Sequence, residues 1–471
     1  MTTTTDLTDP RKSPSFDTVA RPFLQQPGLP FAGVLDAATI ARAFAEQGAL
    51  FATDDIFSTP VVLWAFLAQA LRDGKGAACA AAVADITTYQ SQIGAPAPCG
   101  DTGDYCRARA KLDPAALRRL VVHIARALED QAADDWLWRG RHAKLVDGFT
   151  FTMPDTPANQ AAFPQLDSQA PGVGFPIARA CVILSLATAA VCDMAYGPYQ
   201  GKATGETALL RQMLDSFDAG DVAVFDRYYC SYMMIAQLRA YGVDVCMRKH
   251  QRRHSDFRTG RRLGPDDHII TWHRPAKPAW MTDEDYAAIP LTLTLRELRF
   301  EVTEPGRRPE TITIITTLLD PTAYPAKAVA QLYEFRWNAE LDIRTHKQGL
   351  SLDHLRCQTP KMVRRELWVT MLGYNLIRKL TATAAAVHGK KPRQVGFTLA
   401  CQSVLSSWML LATDTCRDRK AHWDIVLAHV AANEVANRPG RIEPRVLKRR
   451  RHGYPLMNKP RTALRKELAK T

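Results

Sequence analysis

No two of the ten cysteines form a CxxC pair, and a chain of 471 residues can bury a core without disulfides. The thiols therefore read as reduced and mostly buried, which argues against a disulfide-built secreted scaffold and favours the cytoplasm. The opening MTTTTDLTDPRKS has no apolar stretch behind it, so a secretory signal is not expected. The longest apolar run, from Ala180 to Cys192, is too short to span a bilayer and reads as adjacent strands. No membrane partner is expected.

Acidic residues are scarce where basic ones gather. From Arg438 to Thr471 there are twelve Lys or Arg against Glu443 and Glu467, a net +10 in a chain whose formal charge is +13. A second cluster, RKHQRRHSDFRTGRR, runs from Arg248 to Arg262. Concentrated positive charge is the footprint of a polyanion partner, because neutralising phosphates releases condensed counterions. Nucleic acid leads on that ground, and a solvated charge run is the plain alternative for either cluster.

The polar start of the chain suggests disorder, followed by a helix capped by Asp36. TPVVLWAFLAQALRDGKGAACAAAVADITTY reads as helix, Gly-rich turn, helix, either a helix-turn-helix DNA reader or an ordinary helical pair. After Trp138 strands and helices alternate. HAKLVDGFTFTMP is one strand, RACVILSLATAAVCDMAYG two more, Thr204 to Phe217 a helix, DVAVFDR a buried strand, SYMMIAQLRAYG a helix and VDVCMRK a strand. This order predicts a mixed α/β sheet. Segments such as LTLTLRELRFEV and ETITIITTLL predict an inserted β-rich subdomain, and one long helix is expected from about Ala326 to Leu350.

That helix carries QLYEFRWNAELDIRTHKQGL. At about 100° per residue Tyr333, Arg336, Glu340 and Lys347 fall within roughly a 60° arc, so a phenol, a guanidinium, a carboxylate and an ammonium share one face. An exposed helix with Arg336 and Glu340 as an i,i+4 ion pair is the simpler reading of the same residues.

Tyr-x2-Arg-x3-Glu-x6-Lys resembles the signature of the IS-four group of DDE transposases, a bacterial insertion-sequence family. LVDGFTFTMPDTPANQAAFPQ, with Asp147, is similar to the family's first acidic motif. GDVAVFDRYYCSY, with Asp226 followed by Arg227, Tyr228 and Tyr229, is similar to its second. The resemblance implies an α/β fold with a ribonuclease-H-like catalytic core and an inserted β-rich subdomain, flanked by helical N- and C-terminal regions. The implied order is a helical region at 1–135 with possible DNA-end binding, core at 136–253, β-rich insertion at 254–324, the Glu-bearing helix of the core at 325–360, helices at 361–437 and a basic tail at 438–471. Asp147, Asp226 and Glu340 would be catalytic and would hold two Mg²⁺ ions, with Mn²⁺ as a substitute. Tyr333, Arg336, Lys347, Arg227, Arg252, Arg253 and Arg258 would contact DNA. The implied partners are double-stranded DNA, as terminal inverted repeats and target, and a second copy of the chain. The implied location is the bacterial cytoplasm, on the nucleoid when bound. A DNA-binding relative that no longer cuts, and a structure-selective nuclease on the same core, are the alternatives.

The chemistry gives these residue types an independent reason. In-line attack on phosphorus needs an activated oxygen and a stabilised leaving oxygen, which two Mg²⁺ ions about 3.5–4 Å apart supply. Mg²⁺ prefers carboxylate oxygens, and three carboxylates in one cleft suit it. Asp155, Asp193 and Asp342 compete for these roles and read as structural. GPYQGKATG has the wrong spacing for a phosphate-binding loop. Cys246, His250 and His254 lack a fourth zinc ligand. Trp272 and Trp280 read as packing residues or base-stacking ones.

Overall fold

The computed structural model describes residues 42–44, 56–302, 310–412, 417–435 and 457–469. The N-terminal disorder, most of the Asp36-capped helix and most of the basic tail are expectations that lie outside the described residues. The rest falls into two compact units. A helical unit is drawn from Met1–Trp136, Ala187–Asp193 and Asp342–Val435, and a sheet unit from Leu137–Leu186, Met194–Leu341 and Ala436–Thr471.

The helical unit begins with α1 (Thr59–Leu71), α2 (Cys79–Gln92) and α3 (Pro114–Asp130). α1 is apolar nearly all round, and Val61 to Ala68 are buried, as such a helix requires. α3 starts where Asp113 accepts the Ala115 N–H at 3.2 Å and Pro114 supplies a preset φ. It buries one stripe, Leu117, Leu120, Val121, Ile124 and Leu128. α1 and α2 are the pair considered as a DNA reader. The solvent face of α2 offers Ala80, Ala84, Thr88, Ser91 and Gln92, small or uncharged side chains with no cation to grip phosphate.

The sheet unit is built on β1 (Ala143–Thr152), β2 (Ile177–Ser185), β3 (Val191–Pro198), β4 (Val222–Phe225), β5 (Asp244–Arg248), β6 (Arg261–Gly264), β7 (Asp267–His273), β8 (Thr292–Val302) and β9 (Glu310–Thr316). Their order is β3-β2-β1-β4-β5-β9-β8-β7-β6. β1 runs antiparallel to β2 and parallel to β4, and β4 parallel to β5. β4 is a continuous apolar run, Val-Ala-Val-Phe, and all four residues are buried, as a parallel strand covered on both faces demands. The expected β-rich insertion does not form a sheet of its own. β9 pairs with β5 at Met247↔Ile315, so β6 to β9 extend the core sheet.

Helices α4 (Glu206–Leu210) and α5 (Tyr232–Ala240) follow β3 and β4. The single helix expected from 326 to 350 is interrupted. α6 (Ala326–Glu334) ends in a turn at Phe335–Arg336, and α7 (Trp337–Arg344) begins after it. The turn is tightened by i→i−3 bonds from Arg336 N–H to Tyr333 O (3.0 Å), Asn338 N–H to Phe335 O (2.9 Å) and Ala339 N–H to Arg336 O (2.9 Å). Thr345–Gly349 is then a π-helical turn. Neither a proline nor a glycine stands at the break.

The helical unit continues with α8 (Pro360–Val387), α9 (Phe397–Ala412) and α10 (Arg419–Ala432); a separate helix, α11 (Arg461–Leu468), belongs to the sheet unit. At 28 residues α8 is about 42 Å long and forms the spine of its unit. Gly373 lets α1 approach it: a Cβ there would meet the Leu71 side chain at 3.0 Å. Asn375 is buried with its amide satisfied, donating to Val121 O (3.1 Å) and Val191 O (2.9 Å) and accepting from Val191 N–H (2.9 Å). No helix among the described residues is long and apolar enough to cross a membrane.

Candidate active site

The parallel register pairs Leu145 with Val224. Two residues further on, β1 carries Asp147, and Asp226 follows directly after the last residue of β4. Asp226 is fixed by its own turn: its Oδ1 accepts the Tyr228 N–H at 2.7 Å, capping Arg227–Tyr229. Asp147 Oδ1 accepts the Gly148 N–H at 2.8 Å. Burial pushes the Asp147 carboxyl up to about 6. The Gly148 N–H and Arg336 oppose that shift, while the charges of Asp226 and Glu206 add to it.

Arg336, at the break between α6 and α7, links two of the three expected carboxylates. It donates to Glu340 Oε1 at 2.8 Å and stands 3.6 Å from Asp147 Oδ2. Burial works against the guanidinium's charge, but Glu340, Tyr333 and Asp147 outweigh it and raise its pKa. Tyr333 is buried, and burial pushes its hydroxyl up to about 12 although Arg336 and Arg248 pull it down. The phenol therefore stays protonated and available as a donor. Lys347 does not continue the regular helix on which its shared face with Tyr333, Arg336 and Glu340 was expected. It lies half-buried in the π-helical turn and belongs to the helical unit. The break at 335–336 and the wider π turn cancel the 100° periodicity on which that face rested.

The adjacent carboxylates of Asp147 and Asp226 each use one oxygen on a backbone N–H, and their donor type suits a hard divalent cation. Among the described residues no three Asp, Glu, His or Cys side chains come close enough to hold one ion. Glu340 is separated from the pair by the guanidinium of Arg336.

The basic cluster is less free than its sequence suggests. Arg258 is paired with Asp256 at 2.8 and 3.0 Å, bonds that hold the Asp256 carboxyl down at about 2. Lys249 is buried against Glu297 at 2.5 Å, and Glu297 also bonds His268 Nε2 at 2.9 Å. Arg253 lies 3.7 Å over the Trp272 ring. Arg227 is exposed and donates to Gln251 at 3.4 Å. Arg252 is exposed, with no side-chain partner among the described residues. Trp272 is buried, whereas Trp280 is 47% exposed with Arg211 3.8 Å over its ring. Cys246 is fully buried on β5, and among the described residues no three Cys, His, Asp or Glu side chains could hold a metal ion, in keeping with the missing fourth zinc ligand.

The competing carboxylates are occupied. Asp193 is fully buried, and Arg118 grips both its oxygens. Asp342 is held by Arg393 at 2.8 and 3.2 Å and by Arg378 at 3.4 Å. Asp155 accepts from Gln160 in an exposed loop at 2.8 Å. Reading of the sequence missed Glu206. Its carboxylate lies against the Cα of Gly148 and accepts the Tyr229 hydroxyl at 3.2 Å. The one available signal was the glycine directly after Asp147.

Comparison with known proteins places this geometry in context. The transposase DDE domain family matches residues 138–376. The chain is 24% identical over 442 residues, 92% of its length and 94% of the relative's, to the transposase InsG for insertion sequence element IS4 of Escherichia coli (strain K12). A cryo-EM structure of a piggyBac transposase synaptic complex with hairpin DNA aligns over 91% of this chain and 87% of that one, with a TM-score of 0.44 and 9% identity.

Proposed function

Because the chain belongs to the DDE transposase family, and so is a DNA-cleaving and strand-transferring enzyme that works with divalent metal ions, we propose that Asp147, Asp226 and Glu340 are its catalytic carboxylates. The observation that carries this reading is the parallel pairing of β1, which carries Asp147, with β4, whose end leads directly into Asp226, together with the single guanidinium that joins Glu340 to Asp147. The strand order β3-β2-β1-β4-β5, with β1, β4 and β5 parallel, supports a ribonuclease-H-like core. The substrate is double-stranded DNA, cut at the terminal inverted repeats of the element and joined to target DNA, with two copies of the chain acting on it.

Two Mg²⁺ ions, or Mn²⁺ in their place, would supply activation of the attacking oxygen and stabilisation of the leaving one. Asp147 and Asp226 would hold them, and Glu340 would complete the set. Arg336 has two tasks in succession. Before DNA binds it neutralises the repulsion between Asp147 and Glu340. A DNA phosphate then competes for the same planar fork, which grips two oxygens at once, and the transfer frees Glu340 toward the aspartate pair. Tyr333 donates its proton to a phosphate oxygen without losing it. Arg227, Arg252 and Arg253 contribute sequence-independent backbone contacts, Lys347 neutralises further phosphate charge, and Arg258 does so after exchanging Asp256 for phosphate.

Asp226→Cys tests the assignment. The variant should fail to nick terminal-repeat DNA in Mg²⁺ and regain hydrolysis in Mn²⁺, which accepts sulfur more readily. Recognition of the DNA end should persist. Wild-type cleavage by Asp226→Asn in Mg²⁺ would remove Asp226 from the site.

A further inference from the structure

We propose that Glu206 is a positioning residue of the cleavage site and forms, with Tyr229, a clamp that fixes Asp147 relative to Asp226. The inference rests on reading Asp147 and Asp226 as the divalent-ion pair and adds a residue to which no catalytic motif of the sequence points.

The clamp closes a ring of contacts within the sheet unit. On β1, Gly148 directly follows Asp147, and its backbone is approached so closely that a Cβ there would stand 2.2 Å from Glu206 Cδ and 2.4 Å from its Oε1. Glycine at 148 is thus what admits the carboxylate. Glu206 Oε2 accepts the hydroxyl of Tyr229 at 3.2 Å. Tyr229 is fully buried, packs on Phe225 with ring centroids 5.4 Å apart, and belongs to the turn that Asp226 itself caps. The hydroxyl also lies 3.5 Å from Cys181 Sγ, and Cys181 is the β2 partner of Gly148 in the sheet register. Both ends of the aspartate pair are therefore tied to one hydroxyl: Asp147 through Gly148, Glu206 and Cys181, and Asp226 through its capped turn.

A purely apolar filler could not accept the Tyr229 hydroxyl. The charge of Glu206 is felt by Asp147, and that of Asp226 by Glu206. Like charges at close range are unfavourable unless they serve a cation or a fixed geometry. Arg179 offsets part of the Glu206 charge. Partners that orient metal-holding carboxylates commonly influence metal affinity as much as some ligands do.

The test uses the full-length protein and Mn²⁺ alone as the probe. Affinity is read by calorimetry or by the spin-resonance signal of free Mn²⁺, and the Mn²⁺ concentration for half-maximal nicking is read in parallel. Glu206→Ala, Tyr229→Phe and Gly148→Ala should each weaken Mn²⁺ binding by about tenfold or more, the range expected for lost orienting partners. Glu206→Gln, whose amide oxygen still accepts from Tyr229, should stay within about threefold of wild type. The Glu206→Ala, Tyr229→Phe double variant should be no weaker than the worse single variant, because one clamp is broken once. Wild-type Mn²⁺ affinity in Glu206→Ala, an equal loss in Glu206→Gln, or additive losses in the double variant would each overturn the clamp. Should thermal melting show Glu206→Ala unfolded, Tyr229→Phe, which deletes a single oxygen, decides alone. Asp226→Asn separates the two levels. If it binds Mn²⁺ like wild type, the aspartate-pair reading fails and the clamp with it. If it loses binding while Tyr229→Phe does not, only the clamp fails.

Discussion

Two buried aspartates of the helical unit and the proposed catalytic carboxylates of the sheet unit are treated in opposite ways. In the helical unit Asp193 and Asp342 are buried and saturated: one guanidinium grips both oxygens of Asp193, and two converge on Asp342. In the sheet unit the charge of Asp226 bears on Asp147, and Asp147 and Glu340 share the single guanidinium of Arg336. Burial raises the proton affinity of Asp147 for lack of sufficient compensation. Carboxylates that serve structure are given enough positive charge to make burial tolerable. Those proposed to serve chemistry are left short of it, a shortfall that a bound cation would make good. Glu340 and Asp342 stand two residues apart on one helix and fall on opposite sides of this division.

The largest effect should come from removing one carboxylate of each kind. Asp226→Asn should lower cleavage by roughly a thousandfold or more, the equivalent of the several kcal/mol that metal-assisted catalysis supplies. Its unfolding midpoint in denaturant should hold or rise, since a repulsive charge is gone. Asp342→Ala should do the reverse, costing about 3–5 kcal/mol of stability because Arg378 and Arg393 are left without their carboxylate. If Asp342→Ala melts like wild type, or Asp226→Asn melts far below it, the contrast collapses.

A smaller effect is expected at the shared guanidinium. Arg336→Lys preserves charge but loses the fork, and nicking should slow by roughly 10- to 100-fold, the value of one or two charge-assisted hydrogen bonds. Mn²⁺ affinity should change little. Cleavage at the wild-type rate would make Arg336 no more than an ion-pair partner of Glu340.

The smallest effect concerns a neutral group in the helical unit. His346 is fully buried, its ring 4.1 Å from that of Tyr374 in an edge-on arrangement, and neither ring nitrogen has a partner among the described residues. Burial, with Arg378 nearby, depresses its pKa from 6.5 to about 3. The fold therefore prefers the neutral ring. Its contribution is complete above pH 6.5 and is lost as pH falls toward 3, by about 1.4 kcal/mol per pH unit where the unfolded chain alone binds the proton. Denaturant melts between pH 7 and 4.5 should show that slope in the wild type and a flatter one in His346→Leu. Equal slopes would mean that protonation of His346 is accommodated in the fold.

The sequence by itself determined the alternation of strands and helices, the mixed sheet, and the order Asp, Asp, Glu along it. These follow from local rules: β4 had to be a buried strand because four apolar residues stand between Asp221 and Asp226, and Asp226 had to begin a turn because its side chain can cap one. The tertiary structure decided the rest. It split the expected helix at Phe335–Arg336, assigned Lys347 to the other unit and joined the β-rich insertion to the core sheet. It also brought Glu206 onto Gly148 across 58 residues of chain. Periodicity and capping are set by neighbours three or four positions away, which the sequence displays. Which partner satisfies a given charge depends on segments distant in the chain, and only their packing selects it.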